Sequence, residues 1–121
     1  MEKYEWIKEY LLAKKEVDEE FKTEWGAMLY KVDNKMFIMI GEDNVGKKII
    51  TLKLLPSTNV EIQKQYPNMI VPGYYMNKVH WSSIYFDESP KMELLQDLLD
   101  ESYEVIFASL PKKRQVEINA D

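Results

Sequence analysis

The ten residues Pro72-Gly73-Tyr74-Tyr75-Met76-Asn77-Lys78-Val79-His80-Trp81 hold a turn pair, three aromatics, an amide, an amine and the chain's sole histidine. Such a mixture serves one of two ends: it locks an irregular segment together, or it contacts a ligand. Tyr74 and Trp81 would supply apolar walls, and Asn77, Lys78 and His80 polar contacts, the make-up of a modest pocket or an interface. His80 as a general base would need an orienting partner and a reacting group within reach. Ser82 and Ser83 follow closely, but on a strand they point to opposite faces, and no Gly-x-Ser-x-Gly elbow is present. The plainer role for His80 is structural.

Other stretches approach known chemistry and fall short. Gly41-Glu42-Asp43-Asn44-Val45-Gly46-Lys47-Lys48 nearly spells a phosphate-binding loop, but Lys48 stands where a hydroxyl should hold magnesium. The β-rich run Ile49–Leu55 follows instead of a helix, so the segment reads as a hairpin turn. Asp97, Asp100, Glu101 and Glu104 make a ridge at helical spacing that could bind a hard cation weakly; a solvated helix face is the simpler reading. With no cysteine and one histidine, no metal site and no cofactor is expected. Aromatic residues Tyr30, Phe37, Trp81 and Tyr85 fall on strand-like runs, where packing outweighs base stacking as a reading. Lys31, Lys35 and Lys53 lie on adjacent predicted strands, and register decides whether they share a face.

These residues need a scaffold. An amphipathic helix is predicted over residues 1–16, with Tyr4, Ile7 and Leu11 on one stripe. Asp18-Glu19-Glu20 reads as an exposed connection. Met28–Val32, the turn Asp33-Asn34 and Lys35–Ile40 form a hairpin, and Ile49–Leu55 adds a third strand. Thr58 and Glu61 have capping-box spacing for a short helix over 59–65. A loop spans 68–77, a fourth strand 80–86, and Ser89-Pro90 starts a long helix that Pro111 ends. Lys112-Lys113-Arg114 then form a basic tail, placed where a helix C-terminus favours cations. The pattern is α+β: an antiparallel meander with the N- and C-terminal helices packed on one face, in one domain over 1–121.

The net charge is −5, unevenly spread. Residues 31–85 carry seven bases against four acids, whereas 87–104 carry seven acids against one base. A polyanion is repelled by the whole and tolerated by the middle. The absence of a signal-like apolar segment and of a run near the roughly 20 residues that cross a bilayer makes a cytoplasmic location, with no membrane partner, the expectation.

The hairpin with Lys35-Met36-Phe37, the strand Thr51-Leu52-Lys53, the segment Pro72–Trp81, Glu101-Ser102-Tyr103-Glu104-Val105 and Leu110-Pro111-Lys112-Lys113 together resemble the MmcQ/YjbR family, in order and over nearly the whole chain. Asn77-Lys78 and His80-Trp81 are the most specific part. The resemblance implies a compact α+β domain of frataxin-like (CyaY-like) arrangement and DNA binding through a proposed double wing of hairpins. The chain departs from the family pattern at Thr23-Glu24-Trp25-Gly26, where a proline usually precedes the aromatic-Gly pair, and in its acidic total. The expectation is therefore a non-catalytic binding protein. Weak nucleic-acid contact would run through Lys31, Lys35, Lys53 and Lys78, assisted by Lys112, Lys113 and Arg114. The alternative is a small-molecule or protein-partner site at Tyr74, Asn77, Lys78, His80 and Trp81. Monomer and homodimer both stay open.

Overall fold

The computed structural model describes residues 2–120; of the domain expected over 1–121, Met1, the Glu2 side chain and Asp121 lie outside the described residues. A short helix α1 (Trp6–Leu12) is followed by β1 (Val17–Lys22), β2 (Ala27–Val32), β3 (Lys35–Glu42), β4 (Lys48–Lys53), α2 (Pro56–Gln65), β5 (Ile70–Pro72), β6 (Trp81–Tyr85), α3 (Met92–Ala108) and α4 (Lys112–Asn119). The strands form one six-stranded sheet in the order β1-β2-β3-β4-β6-β5, every pairing antiparallel. The expected α+β architecture is thus present, with two strands more than the sequence pattern suggests.

Both extra strands lie at edges. Asp18-Glu19-Glu20 is not a connection but the middle of β1. Its acidic residues hide the period because an edge strand presents charge to solvent. β5, three residues long, sits inside the expected 68–77 loop. The α1 helix stops at Leu12, four residues early, and the chain turns into β1 through Glu16 at φ 63°. Ser89 does not cap α3: it sits in the left-handed region after a 3-10 turn, and Lys91 occupies the N-cap. The basic tail is also absent, since Lys112, Lys113 and Arg114 are the first turn of α4. Cations there oppose the helix dipole rather than complement it. Acidic partners offset this at Arg114, which grips Asp33 through Nε and Nη2 at 2.7 and 3.0 Å.

The helices share one face. Ile7 and Leu11 of α1, Ile62 of α2, Leu95, Leu98, Leu99 and Ile106 of α3 and Ile118 of α4 pack with Tyr30, Val32, Ile38, Ile50, Leu52 and Ile84 of the sheet. A bulge at Phe37 shifts the β2–β3 register, and the Ser102 hydroxyl donates to the freed Phe37 carbonyl at 3.0 Å. Asp33 and Asn34 both have positive φ, as a two-residue hairpin requires. Gly41–Lys48 joins β3 to β4 as a hairpin, closed by Asp43, which accepts from the Val45 and Lys47 amides.

Candidate ligand cleft on the open sheet face

The face opposite the helices is ordered by register. One row runs Lys22–Ala27, then Gly41–Ile49–Tyr85; the next runs Glu20–Leu29–Met39–Thr51–Ser83–Val71; a third holds Asp18–Lys31–Met36 and Lys53–Trp81. The segment after β5 crosses onto this face. Gly73 lies so close to β6 that a Cβ there would sit 2.6 Å from the Trp81 Cβ, which only glycine avoids. The Tyr74 amide donates to Ser83 Oγ at 3.0 Å, and Ser83 shares a 2.7 Å hydrogen bond with Thr51. The Tyr74 and Tyr85 hydroxyls meet at 2.9 Å, and Tyr85 donates onward to Asp43 at 2.9 Å.

This chain of hydroxyls ends on a carboxylate that stays ionised. Partial burial alone would raise the Asp43 pKa, but the Lys47 and Val45 amides and the Tyr85 hydroxyl outweigh it and hold the group below the usual carboxylate range. Tyr85 is pushed the other way, by desolvation first and then by its bonds to Tyr74 and Asp43, so it remains a neutral donor. It is a fastener and not a base.

The distinctive motif residues are consumed by architecture. Asn77 Oδ1 accepts from the Val79 and His80 amides at 2.9 and 3.3 Å, and its carbonyl accepts from Trp81. The Lys78 ammonium donates to the Gly73 carbonyl and lies over the Tyr74 ring. Trp81 is buried. From α2, Asn59 Nδ2 donates to the Leu54 and Val79 carbonyls, while its Oδ1 accepts from Ser82 at 2.5 Å. His80 is exposed and contributes its backbone, the carbonyl accepting from Leu54 at 2.9 Å.

The Glu101-Ser102-Tyr103 run is a second clamp. Glu101 accepts from the Leu55 amide and the Thr58 hydroxyl, satisfying the start of α2 from another helix. That displaces the expected Thr58–Glu61 capping box. Tyr103 donates to the Lys15 carbonyl at 2.8 Å, just ahead of β1. Asp100 is likewise engaged, by Tyr10 and Lys14 at 2.8 and 2.7 Å. Among the described residues no cluster of three or more His, Asp or Glu is disposed to hold a metal ion.

A cleft of about 430 Å³ opens on this face. Ala27 and Gly41 form its small-residue floor, Met39 and Met76 its apolar lining, and Trp25, Tyr75, Glu42 and Asp43 its remaining boundary. Trp25 is 55% exposed and Tyr75 64%, and Tyr75 is held at φ 65°. The Lys22 ammonium lies 4.9 Å from the Trp25 ring centroid. The expected Tyr74–Trp81 loop contributes Tyr75 and Met76 to the cleft, and the Gly41–Lys48 hairpin contributes Gly41, Glu42 and Asp43, whereas Tyr74, Asn77, Lys78, His80 and Trp81 themselves do not line it. Trp25, Ala27 and Met39 are the lining residues that the sequence pattern does not mark as contacts. A bulky aromatic inside the tight turn Thr23–Gly26 was the available signal, since turns do not need one.

The seven candidate phosphate contacts do not gather on one face. Lys31 and Lys53 share the open face, with Lys31 paired to Glu20 at 2.5 Å. Lys78 is tied to its own loop. Lys35 donates to the Ser109 carbonyl at 3.3 Å, and Arg114 is held by Asp33, Glu16 and Glu117. Lys112 and Lys113 are exposed on α4, in the helical layer.

A six-stranded antiparallel sheet with helices on one face and a clefted open face defines a small α+β domain class. The YjbR family model matches residues 12–105, and the chain belongs to that family. It is 37% identical over 87 residues to the uncharacterised protein YbdF of Escherichia coli O157:H7, covering 72% of this chain and 70% of that one. It is 28% identical over 107 residues to the uncharacterised protein YjbR of Escherichia coli K12, covering 88% and 89%. The crystal structure of Deinococcus radiodurans DR2400, a DUF419 domain, superposes with a TM-score of 0.83 at 24% identity, over 93% of this chain and 85% of that one. That likeness carries the fold. No helix among the described residues is long and apolar enough to cross a membrane.

Proposed function

We propose that this is a binding protein whose open-face cleft receives a flat aromatic group, specifically a base of a single-stranded nucleic acid. The observation that carries the reading is the pair Trp25 and Tyr75. Both border one cleft, both are more than half exposed, and neither is needed by the core. Aromatic rims over a small floor suit a planar ring, and stacking is worth about 1–3 kcal/mol per base. Lys22 beside Trp25 and Lys53 on the same face are placed for phosphates, and Lys31 would have to exchange its Glu20 partner for one. The net charge of −5 keeps such binding weak and salt-sensitive. The double-wing DNA label of the family agrees with the ligand class; the open face gives a different surface for it, and a single strand rather than a duplex.

The test is a titration of tryptophan fluorescence with oligothymidylate, with duplex and with free nucleoside across a salt series. Three neutralised phosphates give a log–log slope of about −2, at roughly 0.7 per phosphate for single strands. Lys22→Ala with Lys53→Ala lowers that slope by about 1.4, and Tyr75→Ala abolishes most of the affinity. Saturable, salt-independent binding of the nucleoside alone turns the site into a small-molecule cleft. No binding at low salt, or binding that ignores Tyr75, overturns the proposal.

A further inference from the structure

We infer that the cleft selects among bases and that Asp43 is the residue that does so: it favours a base carrying an exocyclic amine, as cytosine, adenine and guanine do, over uracil and thymine. This specificity rests on the reading of the cleft as a base-binding site. It goes beyond stacking, which every base offers through its π-face.

The charged residues that line the cleft are both acids, Glu42 and Asp43. Asp43 is the one held rigidly. Its Oδ1 accepts from the Val45 and Lys47 amides at 3.0 and 2.8 Å, and its Oδ2 accepts from Tyr85 at 2.9 Å. Those bonds fix the carboxylate before any ligand arrives and keep it ionised. An ionised carboxylate offers about four acceptor sites and no donor. Two are filled on Oδ1 and one on Oδ2, so one site on Oδ2 stays open. Asp43 is 7% exposed and lines the cleft, so a group seated in the cleft is what can reach that site. A hydrogen bond to a charged acceptor is the stronger kind, and it gains further where water is scarce.

The bases differ at the atoms that would meet this oxygen. Cytosine N4 and adenine N6 project beyond the ring and lead with N–H donors, whereas thymine presents the O4 acceptor at the corresponding position, and uracil does the same. The one ring N–H of uracil and thymine lies between two carbonyls, so turning it toward Asp43 also brings acceptors toward a carboxylate. An acceptor set against an acceptor leaves both without a partner. Uracil and thymine still stack in the cleft; they are its weaker occupants.

Titration of tryptophan fluorescence with oligodeoxycytidylate and oligodeoxyuridylate of equal length, at one low salt concentration, tests this. The two strands match in charge and ring size and differ in the edge each base presents. The parent binds the cytidylate roughly tenfold more tightly. Asp43→Asn keeps an oxygen for the turn amides and places an N–H2 group where Oδ2 stood, so the preference falls to about one or below. Each ratio is taken within one protein, so a partly unfolded variant does not distort it. Tyr75→Ala weakens both strands alike. Equal affinity of the parent for the two strands, or a preference unchanged in Asp43→Asn, overturns the inference and leaves base binding standing. Binding of neither strand overturns both.

Discussion

The clamp around Gly73–Trp81 and the cleft around Trp25 and Tyr75 lie on the same sheet face and are built on opposite terms. In the clamp, polar atoms are spent inside the molecule: Asn77 on two amides, Lys78 on a carbonyl, Asn59 on two carbonyls and a hydroxyl. In the cleft, large side chains are left facing solvent on a floor of Ala27 and Gly41. The difference teaches that one distinctive segment divides its labour: Asn77 and Lys78 hold the loop together, while Tyr75 and Met76 of the same loop are left to line a cleft. An irregular segment must satisfy its backbone groups, and amides, amines and hydroxyls are what it uses. A site for a planar ligand needs exposed rings and space between them.

Stability and binding should therefore separate between the two regions. The largest loss belongs to Gly73→Ala, whose new methyl collides with backbone-anchored Trp81; about 3 kcal/mol is expected from overpacking, read as a fall in the denaturant midpoint. Asn59→Ala removes the donor to two carbonyls and the acceptor of the Ser82 hydroxyl, which keeps only its bond from Gln63, and should cost about 2 kcal/mol, with the more exposed Asn77→Ala nearer 1 kcal/mol. An unchanged midpoint in either would break the comparison on the clamp side.

Asp43 joins the regions, since it closes the β3–β4 turn and borders the cleft. Its folded pKa is depressed, so its contribution is complete above the ordinary aspartate value of about 3.9 and fades as pH falls through the lower folded value. Parent and Asp43→Asn should differ by a constant amount at neutral and mildly acidic pH and converge in stronger acid. Unfolding curves collected across that range check the sign. The smallest effect on stability belongs to Trp25→Ala and Tyr75→Ala, each within about 0.5 kcal/mol of the parent. A larger loss from either would mean that the ring serves packing, and the cleft would lose its claim.

Much of the scaffold is legible in the residues. Alternation marks β2, β3, β4 and β6, the Asp33-Asn34 turn takes the predicted left-handed pair, and the leucines of α3 mark the core. The edges were hidden because β1 carries Asp18, Glu19 and Glu20, and β5 has too few residues to show a period. The start of α2 was misread because its cap comes from Glu101, more than forty positions along the chain, where no local pattern reaches. The cleft was illegible for the same reason: Trp25, Met39 and Tyr75 meet only once register and the crossing of the 73–76 segment are known. Of the residues expected to contact a ligand, Tyr74, Asn77 and Trp81 make hydrogen bonds that hold the loop carrying Tyr75 and Met76 against the sheet.

The most direct test of the central claim is an amide chemical-shift map of the labelled chain titrated with oligothymidylate at low salt. Shifts concentrated in residues 22–31, 39–43, 49–53 and 74–78, and diminished throughout by Tyr75→Ala, are the predicted result. Shifts confined to α3, α4 and the β2–β3 turn, or no shifts at any concentration, would contradict an open-face site.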